Sequence, residues 1–174
     1  MSVMNVEYAG VLLGQTELAI LTQLVGMRVY SQEGLSQDAA QTAIETLERN
    51  DLIRQTDNGI QVEEQLFSLL QRMADCQCVH MLAAGDQLCV MYESERVIIL
   101  LNTLGNASVS LTPLNSGMAA ASYMAGVLEE AEASSFVWGG MTGEPIEGDK
   151  QTIVHHIQEY LHDRISREES EWNM

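Results

Sequence analysis

The sequence predicts an α+β fold: winged-helix-like N-terminal helices and a hairpin continue into a central antiparallel sheet covered by helices. Three observations carry this reading. His80 to Leu101, HMLAAGDQLCVMYESERVIILL, sets strand-length blocks of Val, Met, Leu, Tyr and Ile around two turn signals, Gly85-Asp86 and Glu93-Ser94-Glu95, giving a three-strand meander. Helical periodicity recurs on both sides of that meander. Between two of the early helices, LIRQTDNGIQV carries the Asp57-Asn58-Gly59 turn of a short hairpin, with residues that tolerate positive φ.

In chain order, Val3 to Leu13 alternates loosely and reads as an edge strand. Thr16 is placed to cap a first helix with Leu18, Leu21, Leu24 and Val25 on one face and Gly26 near its end. After the gap Met27 to Leu35, Ser36 caps a second helix with Asp38 in its first turn, Ala40, Ala43, Ile44 and Leu47 inward, and Asn50 at the exit. The hairpin Leu52 to Val62 has the place of a wing, and Glu63 to Ala74 forms a third helix with Leu66, Leu69, Leu70 and Met73 on one side. Beyond the meander, Ala107 to Leu111 reads as a fourth strand ended by Pro113, for a sheet of four or five strands. A helix capped by Ser116 follows, with Ala120, Met124, Val127, Leu128 and Ala131 in a stripe of mostly small residues. Ser135 to Met141 reads as another strand, and Asp149 caps a last helix with Ile153, Ile157, Leu161 and Ile165 spaced by four, whose end SREESEWNM is expected to fray. The whole forms one domain of two lobes, a helical lobe over residues 1–75 and a sheet with two helices over residues 76–174.

A chain of 174 residues folds without staples. Its 25 acidic and 8 basic side chains give a net charge of −17, spread over both lobes, a field that repels phosphate backbones and anionic lipid heads. Nucleic acid and membrane are therefore not expected partners. Three cysteines, odd in number and clustered mid-chain, suit a reducing cytoplasm. The first residues lack a basic region followed by an unbroken apolar run, and no stretch of 18 apolar residues occurs, so neither a signal peptide nor a span is expected.

The order helix, gap, helix, glycine hairpin is that of a winged-helix module, and a transcription regulator with a C-terminal sensing or dimerisation domain is the alternative function. Charge opposes it: the second helix presents Asp38, Glu45 and Glu48 with Arg49 as its only cation, whereas a groove-reading helix needs Arg or Lys. The gap Met27 to Leu35 also leaves little room for the usual middle helix.

Candidate chemistry is sparse. Cys76, Cys78 and His80 share one face if this segment is extended, and a two-residue Gly85-Asp86 turn brings Cys89 to it whereas a three-residue turn sends it to the other face, but Cys-x-Cys is not the usual zinc spacing. Buried thiols are the expectation, with no metal and no cofactor. His155, His156 and His162 lack the His-Glu-x-x-His pattern, and the loop Gly139 to Gly148 lacks the Gly-Lys-Ser/Thr ending of a phosphate loop. With no Gly-x-Ser-x-Gly elbow and no Cys-His-Asn pattern, the reading is non-enzymatic.

Two features point to a protein partner. Ten methionines supply adaptable apolar contacts, and Met91, Tyr92, Met118, Trp138 and Met141 are the candidate walls of a partner-binding groove. Glu129, Glu130 and Glu132, and again Glu168, Glu169 and Glu171, crowd helix C-termini, where the macrodipole disfavours them and a basic partner would offset the cost.

Taken together, ELAILTQLVGM, AAQTAIETLERNDLI, DNGIQVEEQLFSLLQRMADC, the meander VHMLAAGDQLCVMYESERVIILL and SVSLTPL make residues 16–112 resemble the EspG family of type VII secretion chaperones. The resemblance implies a cytoplasmic, non-enzymatic protein that keeps secretion substrates soluble by gripping the tip of a helical hairpin. It implies no catalytic residues.

Overall fold

A computed structural model describes residues 10–26, 36–105 and 107–172. It contains an antiparallel seven-stranded sheet with helices on both faces and a separate two-stranded hairpin. The elements are β1 (Val11–Gly14), α1 (Gln15–Leu24), α2 (Gln37–Arg49), β2 (Ile53–Thr56), β3 (Gly59–Val62), α3 (Glu64–Ala74), β4 (Cys78–Ala84), β5 (Gln87–Glu93), β6 (Ile98–Leu104), β7 (Ser108–Leu114), α4 (Gly117–Glu130), β8 (Phe136–Gly140), β9 (Ile146–Gly148) and α5 (Lys150–Trp172). The gap Met27 to Leu35 and the expected strand residues before Gly10 lie outside the described residues.

The sheet order is β1-β7-β6-β5-β4-β8-β9. Its centre is the meander, where Ala84 pairs with Gln87 across a two-residue turn and Gly85 takes a φ of 64°, a conformation that costs glycine little. The sheet is larger than the four or five strands expected because both ends gain partners: β1 joins β7, and β8 and β9 extend β4. Pro113 does not end β7 but sits inside it, opposite Ile99. β7 pairs with β6 over its whole length and with β1 only over Ser108–Leu111, so a proline nitrogen turned to the β1 side there removes no described ladder bond.

Local signals set the helix starts. Ser36 and Ser116 each accept a hydrogen bond from the backbone N–H three residues on, and Asp149 accepts from Thr152 N–H at 2.9 Å. Thr16 is not a cap. The helix begins directly after β1, so Gly14 occupies the N-cap position, and its N–H donates to Glu17 Oε2 at 3.1 Å. Helix α5 continues past Ser166 to Trp172, with Glu168 tied to another helix as described below.

Two cores share the sheet. One face carries Leu13, Val90, Tyr92, Ile99, Leu101, Val109 and Leu111 against Leu18 and Leu21 of α1, Leu47 of α2, and Leu66, Leu70 and Met73 of α3. The other carries Leu82, Met91, Ile98, Leu100, Phe136 and Trp138 against Ala120, Met124 and Leu128 of α4 and Ile153, Ile157 and Leu161 of α5. Strand alternation makes this possible, since neighbouring residues such as Met91 and Tyr92 enter opposite layers.

Candidate functional site

The two helical layers are offset along the sheet. The N-terminal helices sit over β1, β7, β6 and β5, whereas α4 and α5 sit over β6, β5, β4 and β8. Among the described residues, one end of each face is therefore left bare. On the α4–α5 side the bare end is mixed, with Ser108, Ser110 and Thr112 of β7 beside Leu12 of β1, 65% exposed, and Leu104 of β6, 39% exposed. On the opposite side, the bare end presents Met81 and Ala83 of β4 and Val137 of β8, with Val79 next to them packed against the core under the N-terminal helices. Met81 is 46% exposed and the other three are half-buried. The register pairs Ala83 with Val137 and Met81 with Gly139, so these side chains form one continuous strip on one face.

The five groove residues expected from the sequence are not assembled into one wall. Met91 (0% exposed) and Trp138 (4%) belong to the core under α4 and α5, and Tyr92 belongs to the opposite core. Met118, in the first turn of α4, and Met141, in the loop after β8, are exposed at 55% and 79%. Periodicity does not single out Met81 and its neighbours, because β4 is apolar on both faces. Alternation could not tell which face would remain uncovered.

Trp138 also belongs to an aromatic and ionic network. The His80 ring stacks on Trp138 at 5.1 Å and meets Tyr160 at 4.0 Å. A Cβ at Gly140 would stand 3.0 Å from His80 Nε2, so a larger residue there needs the His80 ring to give by a few tenths of an ångström. His80 Nδ1 is buried without a hydrogen-bond partner. Desolvation holds the His80 pKa below its usual value, and the Glu93 carboxylate pulls in the other direction. Tyr160 donates to Glu93 Oε1 at 2.6 Å; burial first, then that carboxylate, pushes the phenol above the ordinary tyrosine range. Arg164 completes the network, donating to Glu93 Oε2, Glu168 Oε1 and the carbonyls of Ser94 and Glu95. Glu168 in turn accepts the Gly117 N–H at 2.9 Å, capping α4 from α5. One of the carboxylates that crowd the end of α5 thus has a partner inside the molecule.

The thiols are dispersed. The two-residue turn places Cys89 on the face of Cys78 and His80, but Cys89 pairs with Leu82 while Cys78 pairs with Glu93, four residues or roughly 13 Å along the strand. Cys78 is exposed, and burial pushes the Cys89 thiol up to about 12. Among the described residues no group of three or more His, Cys, Asp or Glu is placed to hold a metal ion.

At the wing, a cleft of about 690 Å³ lies between the end of α2 and the β2–β3 hairpin, lined by Glu48, Asp51, Glu63 and Glu64 with Arg54 as its cation. Gln55 Nε2 donates to Glu48 Oε1 at 2.6 Å. Four carboxylates against one guanidinium repel phosphate where a winged helix would have to meet it. Among the described residues no helix is long and apolar enough to cross a membrane. No family model matches the sequence, and a search of curated proteins finds no match.

Proposed function

We propose that the protein is a non-enzymatic cytoplasmic binding protein, an EspG-like chaperone or adaptor that holds a helical type VII secretion substrate. The observation that carries the reading is the bare apolar strip of Met81, Ala83 and Val137. It occupies the one end of this sheet face that the N-terminal helices leave open. Apolar surface left uncovered on a sheet is available to a partner, and a flexible thioether such as that of Met81, 46% exposed, suits an adaptable contact. The resemblance of residues 16–112 to EspG proteins supplies the class of client, a helical hairpin.

Co-expression with a helical-hairpin substrate from the same genome, followed by size-exclusion chromatography, tests the proposal. Co-elution that is lost in Met81→Glu at an unchanged melting temperature supports it. Co-elution indifferent to Met81→Glu rejects the strip as the site, and saturable binding of random duplex DNA at low salt would favour a winged-helix regulator instead.

A further inference from the structure

We propose that the segment seated on the bare strip is a basic amphipathic α-helix, with an apolar stripe for Met81, Ala83 and Val137 and Lys or Arg along its flanks. This rests on the reading of the protein as a binding protein and names the chemistry of its partner.

Shape selects a helix. The outer edge of β8 is already taken by the three-residue β9, so an added strand would pair with β9 and leave Met81, two strands further in, uncovered. A helix about 10 Å across covers two strands about 4.8 Å apart, as α4 and α5 do on the opposite face.

Charge selects the flanks. Residues 73–95 and 131–149, which include the strip, contain no Lys or Arg, and Arg72, Arg96 and Lys150 border them. The two stretches contain Asp75, Asp86, Glu132, Glu144 and Glu147, all exposed. Glu147 pairs with Val137 and so stands on the strip's own face. A second copy of the chain is a poor occupant, since it would bring another −17 charge and the same acidic rim against this one. A partner with basic flanks gains in both terms.

The test uses fluorescein-labelled synthetic helices of about eighteen residues, read by fluorescence anisotropy at low and high salt. One has a Leu stripe with Lys flanks, a second the same stripe with Glu flanks, and a third Lys flanks with a Ser stripe. The first is expected to bind and to weaken about tenfold or more in Met81→Glu, in Glu144→Lys/Glu147→Lys and at high salt, while the other two bind weakly or not at all. Equal, Met81-dependent binding of the Glu-flanked helix overturns the basic-helix inference and leaves the docking face standing. Binding of the Leu helices that ignores Met81→Glu overturns the docking face itself. Equal binding of the Ser-striped helix, or no binding of any helix, overturns the inference, as does a Met81-dependent homodimer in sedimentation.

Discussion

Replacing Arg164 by alanine isolates the connection between α5, α4 and the β5–β6 turn. The Arg164 side chain is only 8% exposed, and it places Nε 2.9 Å from Glu168 Oε1, Nη1 3.1 Å from Glu93 Oε2, and Nη1 2.7 Å from the Ser94 carbonyl. Truncation takes the guanidinium from two carbonyls and from two partly buried carboxylates, which keep only the Tyr160 hydroxyl on Glu93 and the Gly117 N–H on Glu168. Breaking one partner out of a buried pair costs about 3–5 kcal/mol, because the remaining charge stays desolvated. For a chain of 174 residues each kcal/mol moves Tm by about 2–4 °C, so Arg164→Ala is expected to melt roughly 6–20 °C below wild type. Arg164→Lys should recover less than half of this, since a single ammonium cannot reach Glu93 and Glu168 together with the planar fork of a guanidinium. Urea denaturation followed by far-ultraviolet circular dichroism supplies the free energies, and a cycle with Glu93→Gln should show a coupling of about 0.5–3 kcal/mol. A loss below about 1 kcal/mol for Arg164→Ala would place the network among ordinary surface pairs and refute the reasoning.

Three further outcomes are expected. Trp138→Ala should cost about 3–5 kcal/mol as a core truncation, measured by the same denaturation; a loss under 1 kcal/mol would show that Trp138 is not a packed core residue. His80 has a folded-state pKa held below its ordinary 6.5, so the unfolded chain takes up the proton first; the contribution is intact above 6.5 and is lost as pH falls from there to the folded-state pKa. His80→Phe keeps a ring on Trp138 and should therefore lose less stability than wild type across that window, whereas parallel profiles would exclude His80 as the cause. With a thiol reagent at mildly alkaline pH, Cys78 should react first, half-buried Cys76 more slowly, and Cys89, pushed up to about 12 by burial, only on unfolding; Cys78→Ser should abolish the fast phase.

How far the sequence was legible depended on how local the cause was. Ser36, Ser116 and Asp149 cap helices through contacts three residues away, and the Gly85-Asp86 turn fixes the β4–β5 register by its length, so these features could be read directly. Features decided by distant contacts could not. Pro113 reads as a strand end until it is known that β1 covers only part of β7. Glu168 reads as a misplaced charge until its bond to Gly117, 51 residues earlier, is seen. The candidate site failed for a related reason: Met91, Tyr92 and Trp138 are as apolar as any docking residue, and only the offset of the helical layers separates the covered from the bare. On β4, where Val79, Met81 and Ala83 alternate with His80, Leu82 and Ala84, neither face is polar enough for periodicity to choose.

The pairing of β1 with β7 sets an order on the birth of the molecule. Val11 meets Leu111, one hundred residues later in the chain, so the first strand leaves the ribosome long before its neighbour exists. At about 5–20 residues per second the wait is on the order of 5–20 s. During that interval Leu18 and Leu21 of α1 have the helices α2 and α3 for company but no β7 beneath them. The meander from β4 to β7 needs only sequence neighbours and can assemble as it emerges, and β1 must then be recruited to its far edge. Nascent chains stalled before Ser108 would thus be the ones that holding chaperones retain.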